Sequence, residues 1–234
     1  MTAQAPTGRG QEDVQTHSRI VRATHWLNSA AMLIMIGSGW RIYNWEPILP
    51  FHFPVAFTLG GAESYSEAVH NEDGLAGALQ WHFAGMWLLV VNFVVYLVYG
   101  FASGHFRRDF LPLGPRAVLA DFMAALRFRL AHRLGHYNAV QKAAYVGVLA
   151  AILLTVLSGL SIWKPTQFQE LTWLFGGFDN ARVVHFLGMS AIVLFILVHL
   201  VLVVLVPKTL VAMIVGKASG RAPDQGLPSR PGAE

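Results

Sequence analysis

The chain has 234 residues, 54% of them hydrophobic and only 13% charged, against about 25% charged in a soluble domain, so its composition is that of a membrane protein. It has no cysteine, which excludes Cys-ligated iron–sulfur clusters, CxxCH haem attachment, disulfides and zinc–thiolate sites. Its net charge of +4 resides in arginines clustered between apolar runs rather than on a separate basic helix, which points to membrane topology and against nucleic-acid binding.

Residues 1–18 are polar, lack the apolar core of a cleavable signal peptide and read as a disordered tail. The uncharged stretch between Arg22 and Arg41 gives a first span at about 24–43. A long loop follows, with Trp45, Pro47, Pro50 and Pro54, then Glu63, Glu67, Glu72 and Asp73. The second span is expected at 78–101. A connector with Arg107, Arg108, Arg116, Arg127, Arg129 and Arg133 has a middle, 115–131, that reads as an interfacial amphipathic helix. The third span, 141–163, lies between Lys142 and Lys164 in its uncharged part. A loop at 164–181 carries two glycines and Phe168, Trp173 and Phe175. The fourth span, 183–206, belongs to an uncharged run between Arg182 and Lys208, and residues 217–234 read as a second disordered tail. The expectation is one all-α domain over 19–216, a four-transmembrane-helix bundle.

Arg9, Arg19 and Arg22, the six connector arginines, and Lys208, Lys217 and Arg221 fall on one side of this layout and the four loop acids on the other. By the positive-inside rule both termini are cytoplasmic, and segments 44–77 and 164–181 face the opposite compartment. Six tryptophans lie toward that outer side. They read as an interfacial belt in the lipid or as a surface for docking another protein.

Two histidines, His185 and His199, lie in the fourth span, 14 positions apart. At about 100° and 1.5 Å per residue they share a face and stand roughly 21 Å apart in depth. Buried imidazoles are costly in a bilayer and imply function. Topology puts His25 at the inner depth of His199 and His82 at the outer depth of His185. Two bis-histidine b-type haems, His82/His185 above His25/His199, follow, each with a ring nitrogen from two helices for its iron. The bland reading of any one such histidine is a core residue bonded to a carbonyl. The match of four to two depths favours haem.

Gly85 and Gly188 each follow an outer histidine by three residues, and Gly39 lies on the His25 face at the outer depth. Bare backbone suits a macrocycle, although such glycines also serve helix packing. Arg22 and Arg182 precede His25 and His185 by three residues. They and Arg41 are candidates for haem propionates, or simply snorkel to lipid headgroups.

These features together resemble the bacterial di-haem cytochrome b subunits of Ni–Fe hydrogenase, thiosulfate reductase and formate dehydrogenase type, which are cytochrome b561-like. Arg22-Ala-Thr-His25-Trp26 is similar to their first-helix signature, His82 to the second-helix ligand and His185 with His199 to the fourth-helix pair. Tyr137 to Lys142 and Met213 to Lys217 are similar to stretches of formate dehydrogenase gamma subunits, and the long 44–77 loop to thiosulfate reductase-type cytochromes. The resemblance implies an electron-transfer subunit of the bacterial inner membrane rather than a catalyst on its own. It would join a periplasmic molybdopterin or hydrogenase-type redox subunit to ubiquinone or menaquinone, in a complex compatible with homo-oligomers. A quinone site is implied beside the His25/His199 haem. Asn138 and Gln141 stand there to bond a quinone oxygen, or equally to cap the third helix. Two rivals remain: a stand-alone enzyme resembling cytochrome b561-type superoxide:quinone oxidoreductases, and a non-redox anchor or transporter.

Overall fold

The computed structural model describes residues 12–15, 18–60, 72–104, 106–107, 114–127 and 138–220. Its helices are α1 (Arg19–Trp45), α2 (Glu72–Ala102), α3 (Pro115–Leu126), α4 (Ala139–Trp163), α5 (Gln169–Leu174), α6 (Phe178–Leu205) and α7 (Pro207–Val215). The first three expected spans lie within helices, and the fourth, 183–206, overruns α6 by one residue, Val206 being its C-cap. α2, α4 and α6 are long and apolar enough to cross a membrane. Helix ends follow local chemistry. The Ser18 hydroxyl caps α1 by accepting from the Val21 amide. α4 stops at Trp163 ahead of Lys164-Pro165, since a residue preceding proline is driven out of the α region. α7 begins on Pro207 and ends at Gly216, whose φ of 85° is the left-handed cap that glycine takes without strain.

The long helices pack as two antiparallel pairs, α1 with α2 and α4 with α6. A thin apolar layer of Ala31, Leu89, Phe93, Ile152 and Ile192 joins the pairs at mid-depth. Only 11% of the most apolar stretch of α6 is buried inside the protein. Its Leu194, Val204 and Leu205 point outward, as lipid contact requires.

Ser18, Asn138 and Val215 lie at one end of the bundle, here the terminal end; Trp45, Trp163 and Gly177 lie at the distal end. Near the terminal end buried Asn92 of α2 donates its amide to the Thr24 carbonyl and to Asn28 Oδ1, both at 2.7 Å. Polar bonds between membrane helices contribute about 0.6 to 1.7 kcal/mol each. Asn92→Ala is therefore expected to cost about 1–2 kcal/mol, read as a lower thermal midpoint of the detergent-solubilised protein.

The segment after α1 folds back over the distal end. Asn44 holds the Phe53 backbone with two bonds of 2.8 Å, and the Leu59 amide donates to the Gly37 carbonyl. Trp40 stacks on Phe53 at 4.6 Å. Residues 61–71, with Glu63 and Glu67, lie outside the described residues, and α2 already begins at Glu72. The 164–181 segment, read as loop, contains α5, which ends where Gly176 and Gly177 take φ of 78° and 105°. The interfacial helix expected at 115–131 is α3 at 115–126; the stretch from 128 to 137 is outside the described residues. Both segments read as tails contribute a strand: β1 (Glu12–Gln15) pairs antiparallel with β2 (Lys217–Gly220).

Candidate functional site

The four histidines singled out by spacing meet in the two expected pairs. His82 on α2 and His185 on α6 face each other in the distal half, ring centroids 6.3 Å apart. His25 on α1 and His199 on α6 do the same in the terminal half at 6.2 Å. Both pairs cross from one helix pair to the other, with an interplanar angle of 62° in each. Ile192, midway between His185 and His199 in sequence, belongs to the apolar layer that separates them.

That spacing has a chemical meaning. A metal–imidazole bond is about 2.0–2.1 Å, and the ring centre lies roughly 1.1 Å beyond the nitrogen, so two imidazoles on opposite sides of one iron have centroids roughly 6.3 Å apart. Both pairs fit a bis-histidine haem iron. The distal rings are also oriented for it. His185 Nδ1 donates to the Thr155 carbonyl at 2.9 Å; a carbonyl has no proton to give, so this bond fixes the tautomer and leaves Nε2 unprotonated, as a metal ligand must be. His82 Nδ1 lies 3.0 Å from Ser38 Oγ, whose own proton goes to the Ile34 carbonyl at 2.6 Å. His82 is therefore the donor there as well. In the terminal pair His199 lies parallel to Phe195 at 5.9 Å, and His25 packs edge-on to Trp26.

The expected accessory residues are placed more variously. Gly39 lies against His82, its missing Cβ 3.4 Å from Cε1. Gly85 and Gly188 instead face the neighbouring helix of their own pair, Gly85 against Ile34 and Met35 and Gly188 against Thr155 and the Ala151 carbonyl. Gly159, which the sequence reading passed over, is tighter at a histidine ring than Gly39: a Cβ there would lie 3.1 Å from His185 Cε1. Arg182 pairs with Glu46, 3.1 Å to the carboxylate and 2.6 Å to the backbone carbonyl. Arg22 donates to the carbonyls of Met213 and Ile214 at the end of α7, where a cation complements the helix dipole. Arg41 is half-buried beside Trp40 and makes no such contact among the described residues. The Trp40 indole nitrogen is buried without a partner among them.

Asn138 and Gln141 form a capping box at the start of α4. Asn138 Oδ1 accepts from the Gln141 amide at 2.8 Å, and Gln141 Oε1 from the Asn138 amide at 3.1 Å. His52 is exposed, and His17, His70, His105, His132 and His136 lie outside the described residues.

Residues 16–216 match the family described as prokaryotic cytochrome b561. A putative protein-methionine-sulfoxide reductase subunit YedZ1 of Azospira oryzae is 49% identical over 201 residues, covering 86% of this chain and 96% of that protein. Probable Ni/Fe-hydrogenase B-type cytochrome subunits are more distant. That of Bradyrhizobium diazoefficiens is 22% identical over 82% of this chain and 78% of its own length, and that of Azotobacter vinelandii 24% identical over 85% of each.

Proposed function

This chain belongs to the prokaryotic cytochrome b561 family, and from that premise we propose a four-span cytochrome b of the bacterial cytoplasmic membrane that holds two b-type haems and joins the quinone pool to a periplasmic redox subunit. The observation that carries this reading is the recurrence of one histidine spacing, at His82/His185 and at His25/His199, in opposite halves of the bundle. α1 is the fourth span: it meets Asn92 in the terminal half and His82 in the distal half. The positive-inside rule puts the terminal end in the cytoplasm, with Arg19, Arg22, Arg116, Arg127, Lys208 and Lys217 near it.

Bound haem supplies one-electron transfer between the two faces. The chain's own residues set where that happens. The four imidazoles would ligate the irons, and the apolar Ile192 layer keeps the two sites apart. Gly39 and Gly159 let backbone approach the distal rings. With Arg22 and Arg182 already engaged, Arg41 and the Trp40 N–H are the donors best placed for a distal propionate. At the cytoplasmic end the amide oxygens of Asn138 and Gln141 serve the helix cap, so their NH2 groups are the donors toward a quinone oxygen.

The relative of highest identity described above is named as a putative protein-methionine-sulfoxide reductase subunit, which favours a methionine-sulfoxide-reducing subunit over a hydrogenase as partner. Electrons then run outward from quinol. Deleting the chain from its own cell is expected to abolish quinol-driven reduction of protein methionine sulfoxide in spheroplasts, while reduction driven by an artificial viologen donor persists. An unchanged quinol-driven rate removes this partner.

A further inference from the structure

The two helix pairs repeat one local arrangement around the distal histidines. Ser38 and Ser158 are both fully buried and both hold a carbonyl four residues back, Ile34 at 2.6 Å and Leu154 at 2.8 Å. Each hydroxyl oxygen thereby turns its lone pairs to Nδ1 of the histidine on the partner helix, His82 at 3.0 Å and His185 at 3.3 Å. Each is followed by a glycine, Gly39 or Gly159, on which the Cε1 edge of that ring rests at 3.4 or 3.1 Å. Each histidine has a glycine three residues on, Gly85 or Gly188, through which the two helices close up against Met35 or Thr155. Three residues before the serines stand those same two residues, Met35 and Thr155.

The same register sets the terminal half apart. Ser38 and Ser158 are 120 positions apart, and His82 and His185 are 103 apart. Carried inward, those offsets place Tyr145 opposite His25 and Tyr96 opposite His199. The distal ligands are thus equivalents under the repeat, while the positions equivalent to the terminal ligands His25 and His199 are Tyr145 and Tyr96, and neither α2 nor α4 carries a serine in the described residues of its terminal half.

We propose that Ser38-Gly39 and Ser158-Gly159 form a duplicated seat whose hydroxyl oxygens accept from Nδ1–H of the distal imidazoles, at His185 sharing that proton with the Thr155 carbonyl, and thereby tune the potential of the distal haem alone. This rests on the two-haem reading above. A hydrogen bond accepted from Nδ1–H makes an imidazole a stronger donor to its iron, which favours the oxidised state. The serines act through the ligands and are positioning residues; the backbone carbonyl that accepts from His185 remains when Ser158 is truncated, so the ring keeps its tautomer and the haem is retained.

The test is a potentiometric titration of the full-length, haem-loaded protein, following the α band, with His199→Ala identifying the distal component. Ser38→Ala and Ser158→Ala are each expected to raise the distal potential, by up to a tenfold change in its oxidised-to-reduced ratio at fixed potential, or about 59 mV for one electron. The double variant should shift further, the terminal component should stay in place, and Ser38→Thr or Ser158→Thr should restore the original value. The g-values of the distal low-spin ferric signal should move with the potential. Two haems with an unmoved distal potential in both alanine variants, or equal shifts of both components, overturn the seat. A wild-type protein with fewer than two haems overturns the two-haem reading itself, and the seat falls with it.

Discussion

His199→Ala is expected to lower the haem content from about two per chain to about one and to leave the distal haem spectrum in place, as measured by pyridine haemochrome and low-temperature α-band spectra. His25→Ala should reproduce that spectrum, because His25 faces His199 across the terminal half at 6.2 Å. His82→Ala and His185→Ala should both do the opposite, since those rings face each other at 6.3 Å. The effect is large because each ligand comes from a different helix pair and the described residues offer no second imidazole at either depth. It should extend to stability. The pairs meet in the mid-depth layer around Leu89 and Ile192 and distally at Tyr43–Phe186 and Phe83–Trp163, and a ligand that binds only the folded state stabilises it. Loss of either haem should therefore lower the thermal midpoint of the whole bundle. The pairing is refuted by His199→Ala and His82→Ala losing the same spectral component.

The helices and histidine pairs were legible because both depend on short-range arithmetic. An uncharged run long enough for a bilayer forces a helix, and a 14-residue spacing fixes two rings on one face. Depth follows from alternating direction alone. The contacts that orient the rings were not legible. Ser38 and Ser158 each satisfy themselves on the preceding turn, as serines in membrane helices ordinarily do. Their second use, toward Nδ1 of a histidine, depends on how each helix is rotated against its neighbour, which no single run encodes. The same holds for Gly85 and Gly188, whose three-residue spacing from a histidine turns them to the adjacent helix rather than to a ring. Glu46 was unmarked because its partner Arg182 is 136 positions away. The Glu12–Gln15 and Lys217–Gly220 pairing joins two short polar segments from opposite ends of the chain, without the alternation by which a strand announces itself. α5 is the reverse case: a run as short as Gln169–Leu174 carries no periodic signal, and it is held by packing, with the Ser161 hydroxyl on Thr172 at 3.0 Å.

The capping box at Asn138 makes the quinone site testable without confusing it with helix stability. Asn138→Ala would remove the cap and cost about 1 kcal/mol on that ground alone, so a slower reaction would have two explanations. Asn138→Asp separates them. An aspartate keeps the oxygen that accepts from the Gln141 amide, caps as well as asparagine, and adds a favourable charge at the helix N-terminus. What it loses is the NH2 donor. If that donor bonds the quinone oxygen, a net hydrogen bond of about 0.5–1.5 kcal/mol disappears, which corresponds to roughly two- to tenfold slower haem reduction by quinol. Gln141→Glu should act in the same direction, since its Oε1 holds the Asn138 amide and its NH2, like that of Asn138, has no partner among the described residues. Haem content and distal potential should remain those of the parent protein in both variants, and the thermal midpoint should not fall below the parent's. A rate of haem reduction equal to the parent's in the double variant leaves Asn138 and Gln141 as a helix cap and nothing more, and moves the quinone elsewhere on the cytoplasmic face.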